Sequence, residues 1–194
     1  MIFRIKHSWL LTLGVTLAWV LANYCMGAWR DFPNGHFPMP TLLLIGIGGG
    51  LVALAINGAL HETFRRVFGS PYMTRMYEYS HTVLDGMRWP EYVMGGVMAA
   101  LAEEPFFRGV VLSRFDDPVL GIGIAAIVFA ICHWMRLRFL GFWLWALWEG
   151  VLFGILAVFT GSLLVPMIAH GLHDVIAYCV LRVLTKPERF SYGR

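Results

Sequence analysis

The chain has 194 residues, of which 58% are hydrophobic and only 14% are charged. Soluble domains carry roughly 45–50% apolar and about 25% charged residues, so this composition excludes both a soluble globular protein and a disordered one. The net charge of +3 gives no indication of a nucleic-acid partner. At about 20 residues per span, the length allows five to seven membrane-spanning helices and no separate soluble domain. We therefore expect residues 1–194 to form a single all-α integral-membrane domain.

Apolar stretches in chain order predict a polytopic bundle of about six transmembrane helices. The predicted spans cover residues 8–28, 41–60, 91–112, 119–135, 139–159 and 163–184. The first apolar run has no clean cleavage site for a signal peptidase, so we expect it to be retained as a span. The polar stretch 61–90 is rich in arginine and aromatic residues, which favours helices lying at the membrane interface. Three adjacent glycines, 48–50, favour close helix contact or a local break.

The distribution of basic residues predicts the orientation of the bundle. With six spans, nearly all Lys and Arg of the loops and termini fall on one side of the membrane. Excess Lys and Arg usually marks the cytoplasmic loops. Both termini are therefore predicted to be cytoplasmic.

Ionisable side chains in the third span form the first candidate for chemistry. Such groups cost a few kcal/mol each inside a bilayer, so they normally face a protein interior or a wet cavity. Glu104 and Arg108 are four residues apart and share a helix face, where they can pair. Glu103 is rotated by about 100° from Glu104 and should face other spans. Pro105, directly after the acids, is expected to kink the helix. A buried ion pair that serves only packing is an equally good interpretation of this motif.

Histidines at the end of the fourth span and within the sixth are the other candidates. Phe129 and His133 share one helix face, although a single histidine near a span end is more often structural than catalytic. His170 and Asp174 are also four residues apart, a spacing that lets two side chains act on one atom. The alternative is a hydrogen bond between them that only stabilises the helix.

Taken together, the three clusters predict a water-activating hydrolase site inside the bundle. A carboxylate of the first cluster can take a proton from water and later return it. His133 can hold the same water, while His170 and Asp174 can support a developing oxyanion. Asp174 donates a hydrogen bond only when it is protonated, and as an anion it would instead orient a histidine.

The three motifs, in this order on successive helices, resemble the CPBP family. Their patterns are Glu-Glu-x-x-x-Arg, Phe-x-x-x-His and His-x-x-x-Asn/Asp. The family comprises the CAAX prenyl proteases of the Ras-converting type and the bacteriocin-processing or Abi proteins of bacteria. The resemblance covers about residues 91–184, the motif-bearing core. Each motif alone is weak, but the ordered set within spans is fairly specific.

The resemblance implies a glutamate-dependent intramembrane endopeptidase that hydrolyses a membrane-anchored or lipidated protein. It implies a catalytic base with its partner on the water (Glu103 and His133), an oxyanion side (His170 and Asp174) and a supporting ion pair (Glu104 and Arg108). Asp174 stands where the prenyl-protease branch commonly has Asn, and unlike Asn it can donate a hydrogen bond to an oxyanion only when it is protonated. The implied surroundings are the lipid bilayer of a bacterial or archaeal inner membrane, where the chain is a multi-pass protein.

The metal content stays open at this point. The family has also been viewed as metalloprotease-like, and Glu103, His133 and His170 resemble the three protein ligands of a catalytic zinc ion. A metal-free water and a divalent ion such as zinc are therefore both retained as alternatives.

A non-enzymatic membrane protein is the alternative function. An immunity protein or a proton-coupled transporter subunit would also bury Glu and His, because proton relays use them. A transporter of this size would usually show an internal repeat or act as a dimer, and the sequence shows no repeat. Two further ionisable residues stay unassigned. His173 is a second ligand, a supporting residue or a bystander, and Glu149 lines the cavity or bonds a Trp N–H.

Overall fold

The computed structural model describes residues 9–32, 35–84, 87–133 and 139–184. Within these ranges the chain is helical and contains no strand. The α-helices are α1 (Trp9–Cys25), α2 (Met39–Leu84), α3 (Trp89–Glu104), α4 (Pro118–Cys132), α5 (Leu140–Thr160) and α6 (Leu164–Leu184). A π-helix (Pro105–Val111) and a short 3₁₀ helix (Leu112–Arg114) continue α3. The predicted all-α fold is confirmed.

Length and composition make several of these helices suitable for crossing a bilayer. Three are long and apolar enough to do so, namely Met39–Leu84, Gly141–Thr160 and Leu164–Val183. Two shorter apolar helices are Leu13–Cys25 and Pro118–Cys132. The predicted orientation stays a prediction. It depends partly on Arg4 and Lys6, on the basic loop 134–138 and on the tail 185–194, which lie outside the described residues.

Helix α2 departs most from the sequence-based prediction. It does not end near residue 60 but continues to Leu84, broken at Gly69 with φ 55° and ψ −136°. Only glycine adopts this backbone conformation readily. Pro71 follows the break, and across it His61 and Tyr72 form a 2.8 Å side-chain hydrogen bond. At 1.5 Å per residue the whole helix would be roughly 70 Å long, more than twice a bilayer core, so its second part must leave the direction of the first.

The packing places α6 between α2 and α3, while α4 packs on α5 and α1 lies against α3 and the π-helix. The α2–α6 contact is close because glycines of α2 face α6. A Cβ atom at Gly50 would lie 2.8 Å from the Ala169 carbonyl oxygen and 3.3 Å from Leu172. The three-glycine segment therefore provides close helix contact, and the break occurs at Gly69 instead.

We expect Gly50→Ala to destabilise the bundle and Gly48→Ala to leave it intact. The new methyl group at position 50 would push against α6 backbone, a form of overpacking that costs about 1–3 kcal/mol. At Gly48 a Cβ atom meets nothing within 4 Å, so the same substitution there should only improve helix propensity. Thermal unfolding in detergent, followed by tryptophan fluorescence, measures both variants. Equal melting temperatures would contradict the close α2–α6 contact.

Candidate active site

The acidic motif lies where an α-helix changes into a π-helix. Pro105 has no N–H to donate to the carbonyl four residues before it, so the regular hydrogen-bond pattern ends there. The chain responds with a wide π-helical turn from Pro105 to Val111 rather than with the simple kink expected from the sequence. Such turns are frequent at functional sites. Just before the change, the Asn23 side chain of α1 donates a 3.2 Å hydrogen bond to the Ala102 carbonyl oxygen.

Glu104 and Arg108 form the ion pair that their spacing predicts. Arg108 Nη1 lies 3.1 Å from Glu104 Oε1, and both side chains are completely buried. The same carboxylate oxygen lies 2.7 Å from His170 Nδ1 on α6. Because an ionised carboxylate only accepts, this histidine nitrogen must carry the proton. One oxygen of Glu104 therefore joins α6 to the π-helix.

Aromatic rings and a backbone carbonyl complete the surroundings of Arg108. Its Nη2 donates a 3.1 Å hydrogen bond to the Gly150 carbonyl oxygen of α5. The guanidinium carbon lies 4.8 Å from the centre of the Phe129 ring and 5.5 Å from that of Phe153. Phe153 also stacks on His170 at 5.1 Å. A delocalised cation suits this pocket, because it can pair with a carboxylate and lie over ring faces at once.

Glu103 points away from this buried pair and toward His133. Glu103 Oε2 lies 3.7 Å from His133 Nε2, and the two side chains are 29% and 39% exposed. His133 Nδ1 lies 2.8 Å from the Phe129 carbonyl oxygen, to which it must donate. In the neutral ring His133 Nε2 therefore has a free lone pair. Glu103 Oε2 is itself buried and has no hydrogen-bond partner within the described ranges.

The space between Glu103 Oε2 and His133 Nε2 favours a water molecule. A carboxylate oxygen and an unprotonated imidazole nitrogen are both acceptors, and two acceptors at this distance repel each other unless a donor joins them. A water molecule has two O–H groups and can donate one to each, which leaves its oxygen lone pairs free. The geometry of Glu103 and His133 thus suits the holding and deprotonation of a nucleophilic water.

Asp174 is surrounded by donors. Its Oδ1 lies 3.1 Å from His173 Nδ1, its Oδ2 accepts a 3.1 Å hydrogen bond from the Tyr178 hydroxyl, and His170 Nε2 lies 3.4 Å from Oδ2. Three donors around one carboxyl group favour its ionised form, which accepts but cannot donate. This arrangement supports the alternative in which Asp174 orients a histidine, rather than the oxyanion donation implied by the family resemblance.

The six residues singled out from the sequence lie in two adjoining groups. Glu103 and His133 form one, and the other contains Glu104, Arg108, His170 and Asp174. Phe129 joins them, because its carbonyl oxygen accepts from His133 while its ring lies under Arg108 and meets the His170 ring edge-on at 6.0 Å. The roles of the individual residues stay predictions.

Sequence reasoning missed Asn57, the residue at the centre of a neighbouring polar network. Asn57 Nδ2 donates to Glu149 Oε1 at 2.5 Å and lies 2.8 Å from His173 Nε2, and Asn57 Oδ1 accepts from Trp148 Nε1 at 2.9 Å. Glu149 and His173, to which the sequence assigns no definite role, are thus held by one amide, and Trp148 bonds that amide rather than Glu149. The available signal was a single amide side chain inside the otherwise apolar stretch 41–60, where polar groups are expensive.

The three residues proposed from the sequence as zinc ligands do not fit that role. Both ring nitrogens of His170 face carboxylates, Glu104 on one side and Asp174 on the other, so neither is directed toward the Glu103–His133 pair. Among the residues that the structure describes, no three histidine, cysteine or carboxylate side chains are grouped as metal ligands.

About half of the chain is similar to a known protein family and to a curated protein. Residues 85–176 match the family model described as type II CAAX prenyl endopeptidase Rce1-like. The chain is also 32% identical over 96 residues to the uncharacterized protein YpbD of Bacillus subtilis (strain 168). That alignment covers 48% of this chain and 47% of YpbD, so the chain spans about half the length of this curated relative. No solved structure matches the chain.

Proposed function

We propose that this chain is a CAAX-type intramembrane protease, an endopeptidase that uses Glu103 and His133 to activate water. The observation that carries the proposal is the pair of acceptors, Glu103 Oε2 and His133 Nε2, separated by 3.7 Å. The family match favours this function over the transporter or immunity alternative. The matched residues 85–176 include both side chains.

The first step is the attack of water on a peptide carbonyl. Glu103 takes one proton from the water, and His133 Nε2 accepts a hydrogen bond from the other, so that the oxygen is oriented as well as activated. The new C–O bond forms as the carbonyl π-electrons move onto the oxygen. His133 keeps its orientation because Nδ1 stays bonded to the Phe129 carbonyl oxygen.

The second step is collapse of the tetrahedral intermediate. Its oxyanion needs positive charge or N–H donors nearby. His170 has a carboxylate at each ring nitrogen, which favours the doubly protonated, cationic ring. The positive charge of this ring, rather than an N–H donated to the oxyanion, is the proposed source of that stabilisation. The C–N bond then breaks, and Glu103 returns its proton to the leaving nitrogen. Arg108 supports these steps indirectly, because it holds the Glu104 carboxylate against His170.

The proposed substrate is a membrane-anchored or lipidated protein, cleaved close to its anchor. The test is the wild-type chain in proteoliposomes with an internally quenched peptide that ends in a farnesylated CAAX sequence. Matched probes carry the unmodified cysteine or replace the lipid by one hydrophobic span. Release of a defined C-terminal fragment, identified by mass, supports the proposal. The preferred probe distinguishes a prenylated substrate from a spanning one, and absence of cleavage of every probe would contradict the proposed activity.

We expect the activity to survive treatment with 1,10-phenanthroline. The proposed steps use only side chains and water, so removal of a transition metal should leave turnover within about twofold of the untreated enzyme. A zinc peptidase, assayed in the same vesicles, is the positive control for chelation. Loss of cleavage that added zinc restores would instead establish a metal-dependent mechanism and overturn this part of the proposal.

A further inference from the structure

Asn57 lies in α2, before the segment that matches the family model. It nevertheless contacts Glu149 and His173, the polar residues next to the candidate site. We infer that Asn57 is a positioning residue: by fixing the tautomer of His173 it keeps Asp174 in place, and Asp174 in turn orients His170. The inference rests on the proposed function, because His170 is the group expected to stabilise the oxyanion.

The orientation of the Asn57 amide follows from its neighbours. The Trp148 indole can only donate, so the atom 2.9 Å from it must be the amide oxygen. The amide nitrogen then faces Glu149 at 2.5 Å and His173 at 2.8 Å, and its two N–H groups supply one donor to each. Every hydrogen-bonding atom of the amide is therefore in use.

The tautomer of His173 follows from the same contacts. Its Nδ1 lies 3.1 Å from Asp174 Oδ1 and must donate to that carboxylate, while its Nε2 must accept from Asn57. Glu149 Oε1 lies only 3.3 Å from His173 Nε2, so without the amide two acceptors would face each other. An amide is the side chain that satisfies both neighbours, because it offers two donors from one nitrogen.

The tautomer of His173 affects the position of His170 through the Asp174 carboxylate. With Oδ1 held by His173, Asp174 presents Oδ2 to Tyr178 at 3.1 Å and to His170 Nε2 at 3.4 Å. These groups are almost fully buried, His170 and His173 being 4% and 5% exposed, so water cannot easily replace a lost partner. A change of the His173 tautomer should therefore disturb the position of His170 without touching the Glu103–His133 pair.

The test is Asn57→Asp, which keeps the shape of the side chain and removes both N–H donors. His173 Nε2 must then carry a proton to satisfy the new carboxylate. Histidine-selective ¹⁵N long-range spectra of the full chain in detergent report this directly, with the His173 signal assigned by its loss in His173→Gln. We expect an unprotonated Nε2 in the wild type and a protonated one in the variant. Cleavage of the farnesylated peptide should fall at least tenfold in kcat, with KM changed less than twofold.

Two further variants separate positioning from folding. In the Asn57→Asp variant the new carboxylate faces Glu149, and the protein could fail to fold. Adding Glu149→Gln supplies an amide N–H that can donate to the carboxylate at position 57. The double variant still offers no donor to His173 Nε2. We expect the double variant to fold, to carry a protonated His173 Nε2 and to stay slow. Trp148→Phe should give a smaller loss of kcat. Trp145→Phe is the matched control on the same helix, because the Trp145 indole nitrogen has no hydrogen-bond partner within the described part of the chain.

Several outcomes would overturn the inference. A protonated His173 Nε2 in the wild type would do so, as would a folded double variant with wild-type kcat, or equal losses in Trp148→Phe and Trp145→Phe. A wild type that cleaves no probe contradicts the proposed function instead, since the nitrogen spectra read the Asn57–His173 bond whether or not peptide is cleaved.

Discussion

Glu103→Gln should lower kcat for peptide cleavage by about a thousandfold while the protein still folds. The amide keeps the size of the side chain but cannot accept a proton from water, and general-base catalysis contributes roughly 10²–10⁴ to a rate. Folding should be preserved because Glu103 is 29% exposed and lies 3.7 Å from His133, beyond hydrogen-bonding distance. Single-turnover cleavage in proteoliposomes gives the rate, and thermal unfolding gives the stability.

Asp116→Asn is the control for this substitution. Asp116 is an exposed carboxylate in the turn before α4, outside both groups of the site, and its amide variant should cleave at the wild-type rate. A Glu103→Gln protein with full turnover would remove Glu103 from the role of base. A variant that is slow only because it is unfolded would show a lowered melting temperature, which the unfolding measurement detects.

Arg108→Met should destabilise the protein strongly, whereas Arg66→Met should not. Both arginines pair with a glutamate four residues earlier, but Glu104–Arg108 is fully buried, while in Glu62–Arg66 the side chains are 39% and 73% exposed. Removing one partner of a buried pair leaves an uncompensated charge and costs about 3–5 kcal/mol. An exposed pair is screened by water and contributes little. Methionine preserves much of the side-chain volume, so the comparison isolates the charge.

The measurement is the free energy of unfolding of both variants in mixed micelles, with turnover recorded in parallel. Loss of stability at position 108 alone agrees with a supporting ion pair. Normal stability with lost turnover in Arg108→Met would instead place Arg108 in the chemistry. Similar small effects at both positions would contradict the burial of the Glu104–Arg108 pair.

The spacing of residues along the sequence predicted the features that depend on a single helix. Helix boundaries from α3 onward fall within a few residues of those expected when the π-helix and the 3₁₀ helix are counted as the continuation of α3, because apolar runs and end signals are local. The Glu104–Arg108 contact was also predictable, since residues four apart in a helix are neighbours. The extent of α2 was not, because its first part runs past residue 60 into the polar stretch and breaks only at Gly69, where the backbone is not helical.

Contacts between helices were the part that the sequence could not provide. Spacing placed His170 and Asp174 on one face, but it did not indicate that Glu104 would lie 2.7 Å from His170. Nor did it indicate that His173 and Tyr178 would both donate to Asp174. These contacts depend on how α3 and α6 pack, and the role of Asn57 depends on the packing of α2 and α5 as well.

The charges of the buried site bear on how the protein can be inserted into a membrane. Glu104 with Arg108 and His170 with Asp174 are each four residues apart on a single helix. Each segment therefore brings its own counter-ion when it leaves the translocation machinery and meets lipid, before its final neighbours are synthesised or docked. The bond between Glu104 and His170 can then form late, between two ion pairs that are each already close to neutral. Membrane insertion therefore need not expose any of these four side chains to the hydrocarbon as an unpaired ion.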